Sequence, residues 1–193
     1  MITYKNKSLM KEKILVTGGT GYIGSHTVVE LQNAGYEVVI IDNLSNSSAD
    51  VVDNIEKVSG IRPAFEKLDC LDFAGLDAVF TKYKGIKAII HFAASKAVGE
   101  SVQKPLLYYR NNLVSLINLL ELMPKHGVEG IVFSSSCTVY GQPDELPVTE
   151  KAPIKKAESP YGNTKQINEE IIRDTVACLL YTSPSPRDRQ KSR

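Results

Sequence analysis

The chain has 193 residues, enough for one domain that buries about 70% of the surface its unfolded form exposes. Its 42% hydrophobic and 23% charged residues are typical of a soluble globular protein. A net charge of +1 argues against a general affinity for nucleic acid, and no apolar run reaches the ~18 residues that span a membrane.

The cysteine pattern bears on the cellular compartment. Cys70, Cys137 and Cys178 are far apart in the sequence and form no Cys-x-x-Cys pair. This argues against a disulfide framework and against a zinc site, so no metal is expected. The pattern favours the reducing environment of the cytoplasm.

Both ends of the chain differ in composition from its middle. Residues 1–12 are polar and basic without the apolar core of a signal peptide, and we expect a flexible lead. Residues 178–193 carry a net charge of +3 and two Ser-Pro pairs, a composition that cannot build a core. We expect this segment to be a disordered, non-native tail, which leaves 13–177 as the domain.

Within that domain, short apolar runs alternate with helical periodicity. The apolar runs predict strands over residues 13–17, 37–41, 62–68, 87–92 and 130–134. Apolar positions three or four residues apart predict helices over 22–34, 47–59, 73–83, 105–123 and 160–177. Pro124 is expected to end the fourth helix, and Ser159 to cap the last with Pro160 at its first position. The alternation predicts an α/β fold with a doubly wound parallel (Rossmann) sheet.

A glycine-rich turn separates the first strand from the first helix. Gly18, Gly21 and Gly24 have the G-x-x-G-x-x-G spacing in the strand–turn–helix context that gives such a pattern its meaning. The first glycine permits the turn, the second lets a pyrophosphate approach, and the third allows close packing of the helix. The free N–H groups at the helix start favour phosphate.

An acidic residue follows at the end of the second strand. Asp42 is suited to accept hydrogen bonds from an adenosine ribose and to repel a 2′-phosphate. No arginine follows at Asn43 or Leu44, which favours NAD over NADP. The alternative is a turn that serves packing alone, with Asp42 capping a loop.

The last helix begins with a Tyr-x-x-x-Lys pair. Tyr161 and Lys165 share a helix face, where an ammonium stabilises a phenolate, so Tyr161 is a candidate general acid/base. Serines 134–136 end the fifth strand, at the edge where such sheets bind ligands. Tyr83 and Lys87 have the same spacing but straddle a predicted helix end and strand start, so they share no face. The alternative for Tyr161 and Lys165 is an exposed pair without chemistry.

Five stretches carry a resemblance that covers nearly the whole chain. They are TGGTGYIGSHTVVEL (17–31), DNLSNSS (42–48), KAVGESVQKPLLYYRNN (96–112), SSSCTVYG (134–141) and SPYGNTK (159–165). The chain resembles the extended short-chain dehydrogenase/reductase family, and within it the 4-epimerases of UDP-hexoses. KAVGES followed by VQKP is far more specific than the glycine turn.

The resemblance implies roles for individual residues. The catalytic set is Ser136, Tyr161 and Lys165. The residues implied to bind NAD are Gly18, Gly21, Tyr22, Ile23, Gly24, Asp42, Asn43, Asp69, Cys70, Phe92, Ala93, Lys96, Asn111, Ser134, Tyr161 and Lys165.

The resemblance also implies a reaction and partners. Transient oxidation at sugar C4 would interconvert UDP-galactose and UDP-glucose, in a homodimer formed through the helices at 105–123 and 160–177. The family's substrate lobe is missing, so we expect this N-terminal NAD-binding lobe to bind NAD weakly and to lack turnover. Alternatives are a 4,6-dehydratase, a uronate epimerase or a non-catalytic NAD-binding module. Cys137-Thr138 after Ser136, where dehydratases usually have Asp-Glu, favours the epimerase.

Several other residues have simpler interpretations. His91 at a strand end is expected to serve packing or to border the cofactor. Cys137 has no evident base to activate it. The Glu169-Glu170 pair is interpreted as a solvated helix face.

Overall fold

A computed structural model describes the backbone of residues 12–179 and the side chains of residues 12–176. Residues 1–11 of the expected lead and 180–193 of the expected tail lie outside the described residues. Residues 178–179, also assigned to the tail, belong to the last helix. The described chain forms two compact units. Unit 1 comprises residues 12–95 and 110–134, and unit 2 comprises residues 96–109 and 135–179.

Unit 1 is built around one parallel sheet. Its strands are β1 (Lys13–Thr17), β2 (Glu37–Asp42), β3 (Ala64–Lys67), β4 (Ile86–His91) and β5 (Gly130–Phe133). They lie in the order β3-β2-β1-β4-β5, and every neighbouring pair is parallel. The connecting helices are α1 (Tyr22–Asn33), α2 (Asp50–Ser59), α3 (Phe73–Lys82) and α5 (Pro105–His126). The strand order confirms the predicted doubly wound fold.

The strands are apolar on both faces, as a sheet covered on both sides requires. Ile14, Val16, Val38 and Ile40 form one buried cluster with Val28 of α1 and Ile55 of α2. Their neighbours in sequence point to the other face, and Leu15, Val39, Ile41 and Ile89 are fully buried there. Each such side chain stabilises the fold by about 1.5–3 kcal/mol.

The strand order reverses between β1 and β4. The chain moves from β1 outward to β3 and then crosses back to β4 on the opposite side of β1. The connections leaving the carboxyl ends of β1 and β4 therefore separate, and a crevice for ligands opens at such a point. The glycine-rich turn after β1 and Phe92 after β4 border it.

The fourth predicted helix does not end at Pro124. Helix α5 continues to His126 and is terminated by Gly127, whose φ is +66°. The Val128 N–H donates to the Met123 carbonyl at 2.9 Å, the bond that closes a Schellman motif. Pro124 lacks an N–H donor, but its carbonyl accepts from the Gly127 N–H at 3.4 Å and so takes part in this helix end.

The other boundary differences are small, except at α2. This helix begins at Asp50 rather than at residue 47, because the hydroxyl of Ser47 bonds to Thr20 and Asp42 outside the helix. Within residues 12–179, none of the helices combines the length and the apolar character that crossing a membrane requires.

Unit 2 contains helical elements only. They are α4 (Val98–Gln103), the first five residues of α5, a 3₁₀ turn (Cys137–Tyr140) and α6 (Pro160–Leu179). The sequence did not predict α4 or the 3₁₀ turn, which are too short to show a periodicity. Helix α6 begins as predicted, because the Ser159 hydroxyl accepts a hydrogen bond from the Gly162 N–H at 3.1 Å.

Candidate functional site

The first glycine of the turn combines a positive φ with a close backbone contact. Gly18 has φ +70°, and its N–H donates to the Ile41 carbonyl at 2.8 Å. A Cβ atom at this position would lie 2.7 Å from the backbone nitrogen of Ala93. Only glycine therefore fits the meeting point of the β1 turn and the segment after β4.

The other two glycines have different surroundings. A Cβ at Gly24 would lie 2.2 Å from the Gly18 carbonyl oxygen and 2.9 Å from the Gly19 Cα, so α1 packs directly on the turn. A Cβ at Gly21 would have the Gly18 carbonyl oxygen, at 3.2 Å, as its one neighbour within 4 Å among the described residues. Gly21 thus leaves open space at the start of α1, where a pyrophosphate would bind.

The start of α1 is suited to an anion. Gly21 is its N-cap and provides no side-chain acceptor for the first-turn N–H groups. Tyr22 and Ile23 in that turn are 78% and 61% exposed. An uncapped helix start beside a glycine turn is the arrangement that binds phosphate groups.

Asp42 holds the turn and the loop after β2 together. Its carboxylate accepts from the Thr20 N–H at 3.2 Å, the Leu44 N–H at 2.9 Å and the Ser47 hydroxyl at 3.2 Å. Leu44 has φ +60°, and its bond to Asp42 helps to hold this unusual backbone conformation. Asp42 therefore does cap a loop, the role that the sequence offered as the alternative to ribose binding. Two carboxylate oxygens have about four acceptor positions, so capacity for a ribose hydroxyl is left.

Asn43 and Asp69 connect the ends of β2 and β3. The Asn43 amide donates to an Asp69 carboxylate oxygen at 2.9 Å. Cys70, the next residue, is buried, and burial is the main cause that raises the pKa of its thiol to about 12. Cys70 is therefore a packing residue of this edge and is not a nucleophile.

The end of β4 is fixed by hydrogen bonds within unit 1. The Thr17 hydroxyl and His91 Nδ1 lie 2.6 Å apart in a buried contact, and the Ser134 N–H donates to the His91 carbonyl at 3.2 Å. This agrees with a packing role for His91. Phe92 and Ala93, which follow it, are half-buried.

Asparagines of α5 hold the segment after Ala93. The side chain of Asn112 accepts from the Ser95 N–H at 2.8 Å and donates to the Ser95 carbonyl at 3.0 Å. The predicted site residue Asn111 donates to the Ser95 hydroxyl at 2.9 Å. The sequence did not single out Asn112, because an asparagine inside a predicted helix gives no sign of a partner 17 residues away.

In unit 2, the Tyr-x-x-x-Lys pair has the predicted proximity. Lys165 Nζ lies 5.8 Å from the centroid of the Tyr161 ring. Lys165 is 4% exposed, and this burial lowers the pKa of its ammonium to about 8. A desolvated ammonium beside a phenol is an electrostatic partner that water screens little.

Ser136 is oriented by the 3₁₀ turn that follows it. Its Oγ accepts from the Thr138 N–H at 3.3 Å and from the Thr138 hydroxyl at 3.0 Å. Because a serine oxygen has two lone pairs, its own O–H is left to donate. Gly162, beside Tyr161, lets α6 approach this turn: a Cβ there would lie 3.3 Å from Thr138.

Glu169 corrects the interpretation of the Glu169-Glu170 pair as a solvated face. Glu170 is exposed, but Glu169 is half-buried and accepts a hydrogen bond of 2.6 Å from the Ser135 hydroxyl. The sequence showed two adjacent acids on a helix; only the tertiary structure distinguishes them.

Lys96 is exposed and begins a segment that Tyr108 fixes within unit 2. The buried Tyr108 hydroxyl accepts from the Ala97 N–H at 3.1 Å and donates to a Glu100 carboxylate oxygen at 2.9 Å. This bond, followed by those to Lys104, lowers the pKa of Glu100. KAVGES is thus held by a buried tyrosine.

The second Tyr-x-x-x-Lys spacing has no such geometry. The Tyr83 hydroxyl donates to Glu66 at 2.6 Å, whereas Lys87 pairs with Glu129 at 2.6 Å. The two side chains have different partners, as the predicted helix boundary between them implied. Among residues 12–179, no cluster of three or more His, Cys, Asp or Glu side chains is arranged to hold a metal.

Comparison with known proteins identifies relatives of this chain. A family model described as GDP-mannose 4,6 dehydratase matches residues 15–177. UDP-glucose 4-epimerase of Bacillus subtilis is 52% identical over 179 residues, 89% of this chain and 52% of that protein. The human UDP-glucose 4-epimerase is 52% identical over 171 residues, 86% of this chain and 49% of that protein.

Comparison with solved structures identifies relatives from the same group of enzymes. The crystal structure of UDP-glucose 4-epimerase from Bifidobacterium longum in complex with NAD+ and UDP superimposes with a TM-score of 0.84 at 46% identity. The match covers 86% of this chain and 50% of that chain. The chain thus spans about half the length of the relatives it matches. Because the family model extends over most of the sequence, this chain belongs to the GDP-mannose 4,6 dehydratase family of extended short-chain dehydrogenase/reductases.

Proposed function

We propose that this chain binds NAD and supplies the acid–base residues for interconversion of UDP-galactose and UDP-glucose. The observation that carries the proposal is the desolvated Lys165 ammonium, 5.8 Å from the Tyr161 ring. The Ser136 oxygen accepts twice from Thr138, which leaves its O–H to donate. The B. longum relative, crystallised with NAD+ and UDP, supports the choice of cofactor and substrate class.

The residues of unit 1 fit a dinucleotide. Gly21 leaves space at an uncapped helix start, and Asp42 retains acceptor capacity next to that turn. A carboxylate here accepts from a ribose and repels a 2′-phosphate, which favours NAD over NADP. The residues proposed to hold NAD are Gly18, Gly21, Tyr22, Ile23, Gly24, Asp42, Asn43, Asp69, Cys70, Phe92, Ala93, Lys96, Asn111, Ser134, Tyr161 and Lys165.

Three side chains of unit 2 perform the proton chemistry in this proposal. NAD, when bound, supplies a reversible hydride acceptor for the sugar C4. Tyr161 takes the proton of the 4-hydroxyl and returns it after the sugar has presented its other face. Lys165 stabilises the phenolate electrostatically, and Ser136 donates a hydrogen bond to the 4-oxygen as it becomes a carbonyl oxygen.

Two assays test the parts of this proposal separately. Titration calorimetry on the 193-residue chain measures NAD and NADP binding, with NAD expected to bind at least about tenfold more tightly. Equal affinity for both, or none for either, contradicts the role given to Asp42. Asp42→Asn is expected to reduce the preference.

Epimerisation is measured on a fusion of this chain to the remaining half of the B. subtilis relative. Conversion of UDP-galactose is expected to fall by at least about 100-fold in Tyr161→Phe, the loss typical of a general acid/base. Tyr83→Phe is the matched control, because Tyr83 also lies four residues before a lysine but has a different partner from that lysine. Equal conversion by both variants would exclude Tyr161 as the general acid/base.

A cytoplasmic homodimer acting in galactose and nucleotide-sugar metabolism completes the proposal. Leu106 and Leu107 at the start of α5 are 81% and 49% exposed, which supports a partner on that helix. Cys70 is buried, and Cys137 is exposed and free of any disulfide, which agrees with a reducing compartment. Analytical ultracentrifugation of the chain and of Leu106→Glu tests the dimer, which the charge is expected to dissociate.

A further inference from the structure

We propose that Glu169 is a positioning residue that acts through Ser135 to orient Ser136. The inference rests on the proposed function, because it assigns a supporting residue to the same catalytic set. It begins from the half-burial of Glu169, one helical turn beyond Lys165 and two turns beyond Tyr161 on the same face of α6.

A carboxylate removed from water requires a hydrogen-bond donor. Glu169 finds one in the Ser135 hydroxyl, at 2.6 Å, a length typical of a strong O–H to carboxylate bond. The adjacent Glu170 is exposed, so the two acids of the pair have different environments. The side chain of Ser135 is therefore anchored to α6, 34 residues further along the chain.

This anchor lies immediately before Ser136 in the sequence. On the other side of Ser136, Thr138 donates two hydrogen bonds to its Oγ. The backbone of Ser136 is thus restrained from both directions, by Glu169 through Ser135 and by Thr138. The hydroxyl hydrogen of Ser136 is thereby held in a defined region, as a donor to a reacting oxygen must be.

Without the anchor, Ser136 is restrained by the turn that follows it, through the Thr138 bonds to its Oγ and the bond from the Val139 N–H to its carbonyl at 3.2 Å. We expect Glu169→Ala to loosen the segment and to accelerate amide exchange at Thr138 by about fivefold. Ser135→Ala removes the same bond from the other end and is expected to act equally. Glu169→Gln retains an acceptor oxygen and is expected to restore most of the protection.

The matched control is Glu170→Ala, which removes the same side chain from the adjacent exposed position. Amide exchange is measured by NMR on the 193-residue chain itself and requires no turnover. The inference is overturned if the exchange rate of the Thr138 amide in Glu169→Ala and in Ser135→Ala equals the rate in Glu170→Ala. If Glu169→Ala does not fold, the other two variants provide the test. Faster exchange at Thr138 in Ser135→Ala with near-parent exchange in Glu169→Gln supports the inference, and parent-like exchange in Ser135→Ala overturns it.

The functional consequence is measured on the fusion protein. Glu169→Ala is expected to lower kcat by about tenfold with KM and NAD affinity unchanged within about twofold, because a displaced donor acts on the reaction step. The double variant with Ser135→Ala is expected to be no worse than either single one. A fall in NAD affinity equal to the fall in kcat contradicts positioning. If the parent fusion converts no sugar, the proposed function fails, while the exchange at Thr138 still decides the role of Glu169.

Discussion

The glycine-rich turn of unit 1 and the Ser–Tyr–Lys region of unit 2 are specified in different ways. In the turn, backbone atoms meet backbone atoms, and a Cβ at Gly24 would lie 2.2 Å from a carbonyl oxygen. Around Ser136, side chains from positions far apart in sequence hold each other, as Glu169 holds Ser135. The first arrangement depends on the absence of side chains at fixed spacing, and the second on hydrogen bonds that only the fold creates.

The largest effect is expected from a methyl group in the turn. Gly24→Ala should destabilise the protein by about 3 kcal/mol, because neither the Gly18 carbonyl nor the Gly19 Cα can move without distorting the turn. NAD binding should be lost with it. Chemical denaturation and calorimetry measure both. Gly99→Ala is the control, since a Cβ there meets nothing within 4 Å among the described residues.

The buried charge of Lys165 should make the free energy of unfolding depend on pH by a comparable amount. Burial lowers its pKa from 10.5 to about 8, so the unfolded chain binds the proton more tightly. The resulting penalty, about 3 kcal/mol, is complete below pH 8 and disappears as the pH rises toward 10.5.

The stability of Lys165→Met relative to the parent is therefore expected to be about 3 kcal/mol more favourable at pH 7 than at pH 10.5. Denaturation curves at the two pH values measure this, with exposed Lys151→Met as the control. A constant difference between the two pH values would mean that the ammonium carries no desolvation penalty. The same variant should lose conversion of UDP-galactose in the fusion protein.

A smaller loss of stability is expected when the Tyr108 hydroxyl, which fixes the segment that begins at Lys96, is removed. Tyr108→Phe leaves the Ala97 N–H without this acceptor and should cost about 1–3 kcal/mol. The pKa of Glu100 should rise toward its ordinary value, because the bond from Tyr108 is the main cause that lowers it. NMR titration of Glu100 measures the shift. Tyr109→Phe, which removes the bond from Asn163 instead, should leave that pKa unchanged.

The smallest effect is expected when a glycine of the Ser–Tyr–Lys region, rather than of the turn, is replaced by alanine. Gly162→Ala brings a Cβ to 3.3 Å from Thr138, a contact relieved by a shift of a few tenths of an ångström. The gain in helix propensity, about 1 kcal/mol, offsets that strain. A net change below about 1 kcal/mol is expected in denaturation experiments. A loss as large as that of Gly24→Ala would show that both regions depend equally on backbone sterics.

The elements that the sequence predicted well are those with a strong local signal. The predicted bounds of the first strand match the observed ones, because a half-buried lysine and four buried residues run directly into a glycine turn. The prediction of Ser159 as N-cap is confirmed, because serine is a preferred N-cap residue and proline a preferred first residue of a helix. The prediction at Pro124 was wrong, because Gly127 and the Schellman bonds three residues later determine where α5 ends.

Site residues follow the same division. The fingerprint residues Gly18 and Gly24 could be assigned steric roles from spacing alone, and the structure gives the contacts that require glycine there. Asn112 and Glu169 could not be found, because their partners Ser95 and Ser135 lie 17 and 34 residues away. Periodicity reports which face of a helix is polar but not which atom a side chain meets.

The sequence by itself determined the parallel α/β fold, the family and the spacing of Tyr161 and Lys165. These follow from short-range rules: alternation of strands and helices, glycine sterics, and the four-residue repeat of a helix face. The tertiary structure alone decided the burial that lowers the Lys165 pKa and the bonds that leave the Ser136 hydroxyl free to donate. Desolvation and hydrogen-bond saturation depend on every neighbour in space, and a chain acquires those neighbours only when it folds.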